Sequence, residues 1–281
     1  MENGELRIAT LHTPLFRGGW GGQAYNLHGH TQFCDGHADM EDFIVEAIAQ
    51  GFTHYGFSPH APTTAESPVN MSRDDMPRYL AEVERLREVY GKQIEILAGL
   101  EIDYIDGFGP DDPYFVSLPL DFRIGSVHFI PSVRDENEWV DIDGRFERFK
   151  EKVPQYFDGD IEWVVRTFFR QMTRMVERGG FDIVGHLDKI GHNASMYRPG
   201  IDTEPWYDTL VQDLIDAIMD HHYIIEVNTK AWAEHHRFFP SERYFGLLRR
   251  YQAPVIFNSD AHYPHLINTG RNEAIMQFKI I

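Results

Sequence analysis

His28 and His30 stand two apart in Asn-Leu-His-Gly-His, at the end of a short β-rich run. Residues two apart on a strand point to the same side, so both imidazoles can reach one ion. A single pair of this kind reads equally well as two turn histidines. Its weight comes from recurrence at the ends of later β-rich runs. His60 closes Gly-Phe-Ser-Pro-His, Glu101 closes Leu-Ala-Gly-Leu-Glu, His128 closes Ile-Gly-Ser-Val-His and His186 closes Ile-Val-Gly-His. Asp260 and His262, again two apart, close Asn-Ser-Asp-Ala-His. Glu101 ends an apolar run, where an unpaired carboxylate is costly to bury. Imidazole and carboxylate together are ligands of zinc, manganese and iron, and more than four of them imply more than one ion. The other histidines lack this context. His221–His222 and His235–His236 are adjacent pairs with diverging side chains, and His12, His54, His192 and His265 sit away from strand ends, so surface or supporting roles are expected for them. His192 comes nearest to an exception, because it follows His186 closely.

The elements that must position these residues alternate along the chain. β-rich runs are expected at 24–28, 53–58, 94–102, 122–129, 181–186, 223–228 and 254–259, with helical spacing over 39–50, 76–90, 163–176 and 206–219. Seven strands separated by helices predict a parallel α/β architecture, closed as a barrel or open as a doubly wound sheet. In a barrel every strand C-terminus opens on one face, where active sites are built. No G-x-G-x-x-G follows the first run, which weakens a dinucleotide-binding reading. A single domain is expected over 24–281, preceded by an extension at 1–23 that contains RGGWGGQ. The long acidic connection at 130–160 (SVRDENEWVDIDGRFERFKEK within it) is a candidate lid, with a short helix expected near 144–153.

The chain has 281 residues, 42% of them apolar and 25% charged, which is a globular balance with material for a large core. Its 26 Lys and Arg against 44 Asp and Glu give a net charge of −18, a surface that repels nucleic acid and acidic membranes. A phosphorylated substrate would need a local cationic centre, and the 15 histidines point to metal. The single cysteine, Cys34, excludes an internal disulfide. The N-terminus has no apolar signal region and no apolar run is long enough to span a bilayer, so a soluble, cytoplasmic protein is expected.

Taken in order, H-x-H-T, a strand-end His, G-x-E, G-S-V-H, G-H and S-D-A-H resemble the PHP (polymerase and histidinol phosphatase) family, from about Tyr25 to His262. Gly-Leu-Glu-Ile-Asp-Tyr (99–104), Gly-Ser-Val-His-Phe (125–129) and Phe-Asp-Ile-Val-Gly-His-Leu-Asp (181–188) look closest to its histidinol-phosphatase branch. The resemblance implies a distorted seven-stranded (β/α)7 TIM-like barrel holding two to three divalent ions of zinc, iron or manganese. It assigns one ion to His28, His30, Glu101 and Asp260, a second to Glu101, His128 and His186, and a third to His37, His60 and His262. His37 enters only through the resemblance, since Cys34-Asp-Gly-His37 reads as a plain turn. Two departures stand out: Asn26 occupies a position where similar proteins often carry Asp, and the leading 23 residues are more than the family usually has before its first strand.

The implied activity is hydrolysis of a small phosphate monoester, L-histidinol phosphate in the specific version. Glu101, Asp260 and His262 would act through metal-activated water. No G-x-S-x-G elbow suggests a covalent nucleophile. Lys189, Arg198 and Lys230 follow the fifth and sixth β-rich runs as phosphate-binding candidates or solvated surface cations, and Asp188 and Asp103 as contacts for the substrate's amine or imidazole. Three alternatives remain open at this level. The same site could take a nucleotide, sugar phosphate or small phosphodiester. A nuclease or polymerase-associated module is disfavoured by the acidic charge. A silent metal-binding protein is disfavoured because all the matched ligand positions are filled.

Overall fold

The expected β-rich runs form seven parallel strands, β1 (Ala24–Asn26), β2 (Phe52–Phe57), β3 (Glu95–Asp103), β4 (Phe122–Ser126), β7 (Ile183–Val184), β8 (Ile224–Asn228) and β9 (Val255–Asn258), hydrogen-bonded in that order. A separate antiparallel hairpin pairs β5 (Phe129–Pro131) with β6 (Trp139–Asp141). The structure, a computed structural model, describes residues 24–65 and 67–280, and the extension expected at 1–23 lies outside them.

The sheet curls into a distorted barrel, and its first and last strands meet through side chains as much as through backbone. Gly29 and Ala261 form an isolated parallel bridge just beyond the strand ends. Below it, Leu27 N donates to Asn258 Oδ1 at 2.9 Å and Ser259 N donates to Asn26 Oδ1 at 2.8 Å. Asn26 also donates from Nδ2 to His28 O at 3.0 Å, a contact that an aspartate could not make. The departure at Asn26 thus supplies a donor and an acceptor to the seam.

Strand periodicity explains why chemistry gathers at one end. Side chains of one parity face inward. Near the strand starts these are apolar: Tyr25, Leu27, Phe122, Ile124, Ile183 and Ile256 pack together. Further along the same faces they become polar and still buried: Glu101, Asp103, Ser126, Glu226, Asn228 and Asn258. The barrel's lower half is therefore filled by hydrocarbon and its upper half by hydrogen-bonding groups.

Helices cover the outside. Those expected appear as α1 (Met40–Ala49), α2 (Met76–Tyr90), α5 (Ile161–Arg178) and α7 (Pro205–Asp220), and shorter ones are α3 (Pro113–Ser117), α4 (Phe146–Tyr156), α6 (Ile190–Tyr197), α8 (Trp232–His235), α9 (Phe245–Arg250) and α10 (Arg271–Ile280). In α5, Val164, Val165, Phe168, Phe169, Met172, Met175 and Val176 make the buried stripe of an amphipathic helix. Its N-cap Asp160 accepts from Trp163 N at 2.9 Å, a contact worth about 1 kcal/mol. The connection at 130–160 is built into the core: Ile130 and Val140 of the hairpin, Ile142 just after it, Phe149 and Val153 of α4, and Phe157 at its end are buried there. No helix of the described residues is long and apolar enough to cross a membrane.

Candidate metal centre

Glu101, at the upper end of β3 and 1% exposed, is the hub of the inward-facing polar groups. Its Oε2 lies 3.2 Å from His28 Nε2, 3.6 Å from His30 Nε2 and 3.2 Å from His60 Nδ1. Its Oε1 lies 2.8 Å from His186 Nε2 and 3.4 Å from His128 Nε2, and accepts from Ser126 Oγ at 2.7 Å. Asp260 brings Oδ1 to 2.9 Å from His30 Nε2 and 3.9 Å from His28 Nε2. Its backbone φ is +49°, a left-handed conformation of the kind that clusters at functional sites. Asp35 completes the outer side: its Oδ2 is 3.2 Å from His262 Nε2 and 3.9 Å from His60 Nε2, and its Oδ1 is 3.1 Å from His30 Nδ1. Gly29, between the first two histidines, is required by close approach, since a Cβ there would lie 2.5 Å from the Tyr55 hydroxyl.

Behind these groups stand acceptors that orient the rings. His28 Nδ1 donates to Glu226 Oε1 at 2.7 Å, and His128 Nδ1 donates to Asp103 Oδ1 at 2.8 Å. Each bond leaves the ring's Nε2 directed at the hub, where it would offer its lone pair once a cation takes the place of the proton, the arrangement by which a carboxylate fixes the tautomer of a ligating imidazole. Glu226 is itself held by Asn258 Nδ2 at 2.9 Å, Asn228 Nδ2 at 3.1 Å and the His186 backbone N–H at 2.9 Å.

Three donor groups arise among the described residues: His28, His30 and Asp260; His60, Glu101 and His128; and His30, Asp35, His60 and His262, with the ligand atoms of each within 4.8 Å of one another. Among the described residues His28 Nε2, His30 Nε2, His60 Nδ1 and Asp35 Oδ1 are buried without a hydrogen-bond partner, although carboxylates crowd around them. Unsatisfied nitrogens and anions converging on shared space fit divalent cations, which need lone pairs and negative charge together. The electrostatics point the same way. Burial works against charge on every member, yet His28, His128 and His60 hold the Glu101 carboxyl well below its usual range, and Lys230, His28 and His30 do the same for Asp260. The carboxylates in turn overcome burial at His28, raised to about 10 chiefly by Glu226, and at His128, raised to about 9 chiefly by Asp103. Burial wins at His60, pushed down to about 3, and at His262, pushed down to about 4 with help from His30 and Lys230. Protonated imidazoles supply positive charge to the anions, a task divalent cations would take over.

Of the residues expected here, His28, His30, His60, Glu101, His128, His186, Asp260 and His262 converge. His37 does not: it is exposed and stacked on Tyr263 with ring centroids 4.4 Å apart. The turn Thr31–His37 is closed by Gly36 N donating to Thr31 O and His37 N donating to His262 O, which leaves Asp35 beside the imidazoles. Glu226 was likewise not anticipated.

A cavity of about 990 Å³ adjoins the cluster, bounded by Asp260, His262, Lys189, Lys230 and, from the 130–160 connection, Asp143–Glu147. Lys230 Nζ lies 3.2 Å from Asp260 Oδ1 and 3.3 Å from His262 Nε2, and Lys189 Nζ lies 2.8 Å from Asp143 Oδ2. Arg198 is not part of this wall. α6 carries it to the surface, where it pairs with Glu204 at 2.8 Å and Glu162 at 4.0 Å. Asp103 is engaged with His128, and Asp188, fully buried, accepts from Ser241 N at 3.2 Å outside the cavity lining.

Comparison with known proteins agrees with this geometry. A histidinol-phosphatase of Bacillus subtilis is 26% identical over 253 residues, covering 84% of this chain and 92% of its own. The crystal structure of a Listeria monocytogenes protein described as a candidate histidinol phosphatase superposes with a TM-score of 0.79 at 20% identity, over 89% of this chain and 99% of that one. That of a Lactococcus lactis histidinol phosphate phosphatase, complexed with zinc, L-histidinol and phosphate, gives a TM-score of 0.65 at 18% identity, over 92% and 93%. The PHP domain matches residues 26–230, well over half of the sequence. With the barrel, the strand-end donors and this match in agreement, the chain belongs to the PHP domain family.

Proposed function

We propose that the protein is a metal-dependent phosphatase that hydrolyses L-histidinol phosphate to L-histidinol and inorganic phosphate. The observation that carries this reading is the convergence of unsatisfied imidazole nitrogens with the carboxylates of Glu101, Asp260 and Asp35 beside a cavity that also presents two lysines. The names of the relatives supply the leaving group. Two or three divalent ions, of zinc, iron or manganese, would be held by His28, His30 and Asp260, by His60, Glu101, His128 and His186, and by Asp35, His60 and His262. When bound, such ions supply Lewis acidity toward phosphoryl oxygens and acidify water.

The chain's own groups do the rest. Lys189 and Lys230 take up phosphoryl oxygens as point charges, so an acidic protein can accept a dianion. Burial works against the charge of Lys189, but Asp143, Asp260 and Glu101 outweigh it and keep it protonated. Glu226 and Asp103 hold two rings in one tautomer, and the turn at Asp143–Arg145 with the start of α4 forms the outer wall that limits water. The same reading makes the enzyme cytoplasmic and leaves nucleic acid and membranes out of its partners, in keeping with a charge of −18.

The test joins elemental analysis of the purified protein with phosphate release from L-histidinol phosphate and p-nitrophenyl phosphate. Bound divalent metal together with a marked preference for L-histidinol phosphate is expected. Turnover of L-histidinol phosphate no faster than of p-nitrophenyl phosphate would refute the substrate, and full activity after exhaustive chelation would refute the metal.

A further inference from the structure

The cavity has a second wall that the reaction above leaves unused. α6 brings His192 and Asn193 to it, the end of α8 brings His235, and the segment after α8 brings Phe239. The rings of His192 and His235 lie 4.4 Å apart between centroids, and Phe239 stands edge-on to His192 at 6.2 Å. Burial, with His235 and Arg237 near by, pushes His192 down to about 4, so its ring is neutral at physiological pH and offers a nitrogen lone pair. That ring makes no hydrogen bond among the described residues. Next to it Asn193, 5% exposed, donates from Nδ2 to Gly144 O at 3.2 Å, while its Oδ1 has no partner. Two unengaged acceptors thus stand beside flat aromatic surface. Lys189 lies one helical turn back along α6, about 5–6 Å away, so phosphate at Lys189 and a donor at His192 are separated by the length of a short carbon chain.

We propose that His192 and Asn193 read the leaving group, accepting hydrogen bonds from the N–H groups of a planar nitrogen heterocycle on a short alkyl phosphate while the phosphate reaches Lys189 and Lys230. The inference rests on the phosphatase reading above and goes beyond it by naming the residues that select the alcohol. Sites built to hydrogen-bond a substrate group discriminate strongly against analogues that lack it, because the buried acceptor is then left unpaired.

The test measures kcat and KM for L-histidinol phosphate and p-nitrophenyl phosphate in the metal-loaded parent and in His192→Phe and His192→Gln. Phenylalanine keeps a ring and removes the acceptor, whereas glutamine keeps an acceptor. His192→Phe is expected to raise KM for L-histidinol phosphate about tenfold, with the ratio of the two kcat/KM values falling by a similar factor, and His192→Gln to retain most of the parental ratio. Asn193→Leu, with metal content and melting curve checked on the same preparation, is expected to lower the ratio similarly. A ratio in His192→Phe within about threefold of the parent, or equal losses in the phenylalanine and glutamine variants, would overturn the assignment. A parent enzyme with no preference for L-histidinol phosphate would overturn the phosphatase reading itself, and that outcome is read before any variant is compared.

Discussion

Replacing Glu226 with glutamine alters one atom and one charge, yet it should damage both the stability of the barrel and its grip on metal. The carboxylate is fully buried and accepts four hydrogen bonds: Oε1 from His28 Nδ1 and Asn258 Nδ2, and Oε2 from Asn228 Nδ2 and the His186 backbone N–H. A glutamine in either orientation turns one of those oxygens into a donor, so two of the four donors face N–H instead of a lone pair. Hydrogen bonds to a charged group are worth roughly 1.5–3 kcal/mol each, which puts the loss at roughly 3–6 kcal/mol. Against a total folding free energy of about 5–15 kcal/mol, that is a large fraction. If the amide nitrogen settles toward His28, the ring must change tautomer and its Nε2 no longer offers a lone pair to the hub. Loss of such an orienting carboxylate typically costs about 10–100-fold in metal affinity. Chemical denaturation of chelated protein reads the first effect, and zinc titration followed by phosphate release reads the second. A variant destabilised by less than about 1 kcal/mol, with metal affinity within about threefold of the parent, would show that Glu226 is only a spacer.

Asp35→Asn should lower metal content and turnover by an order of magnitude or more, whereas His37→Ala should change both by less than about twofold; equal effects in parallel elemental and kinetic assays would restore His37 to the donor set. Lys230→Ala should raise KM about tenfold, while Arg198→Ala, already paired with Glu204 and Glu162, should leave steady-state kinetics near the parent's; the opposite ranking would refute the cavity assignment. Asp182 is buried, and desolvation raises its pKa to about 6 despite the Arg123 backbone N–H bonded to it. A raised folded-state pKa means its contribution is complete below the unfolded value near 4 and is lost as pH rises through 6, to a cost of roughly 3 kcal/mol at pH 8. Asp182→Asn should flatten the fall in stability between pH 4 and 6 and melt a few degrees higher at pH 8; an unchanged pH profile would show that Asp182 does not titrate as described.

The strand-end rule made most of the cluster readable in advance, because inward parity and parallel strand order together force His28, Glu101, His186 and Asp260 toward one rim. Where that rule stops, so does the reading. Asp35 lies in a turn without periodicity, and only the closure of Thr31–His37 decides that the aspartate rather than the histidine two residues on faces the imidazoles. Glu226 could have been found: Ile-Ile-Glu-Val-Asn sets one acid in an otherwise apolar run, in phase with Asn228. Lys189 and Arg198 look alike as cations after the fifth strand, but α6 keeps one at the cavity and carries the other to the surface. The 130–160 connection reads as a candidate lid because its charges outnumber the apolar positions that anchor it, namely Ile130, Val140, Ile142, Phe149, Val153 and Phe157.

The seam that joins β1 to β9 divides the donors, with His28 and His30 on one side and Asp260 and His262 on the other. The contact between Leu27 and Asn258 spans 231 positions of sequence. Because synthesis proceeds from the N-terminus, the early histidines emerge from the ribosome long before their acidic counterparts and wait with an incomplete coordination shell. The groups that use Asp260 and His262 can therefore close only after β9 has been made, and a polypeptide interrupted before residue 255 would lack both donors and the strand that completes the barrel while keeping His60, Glu101, His128 and His186.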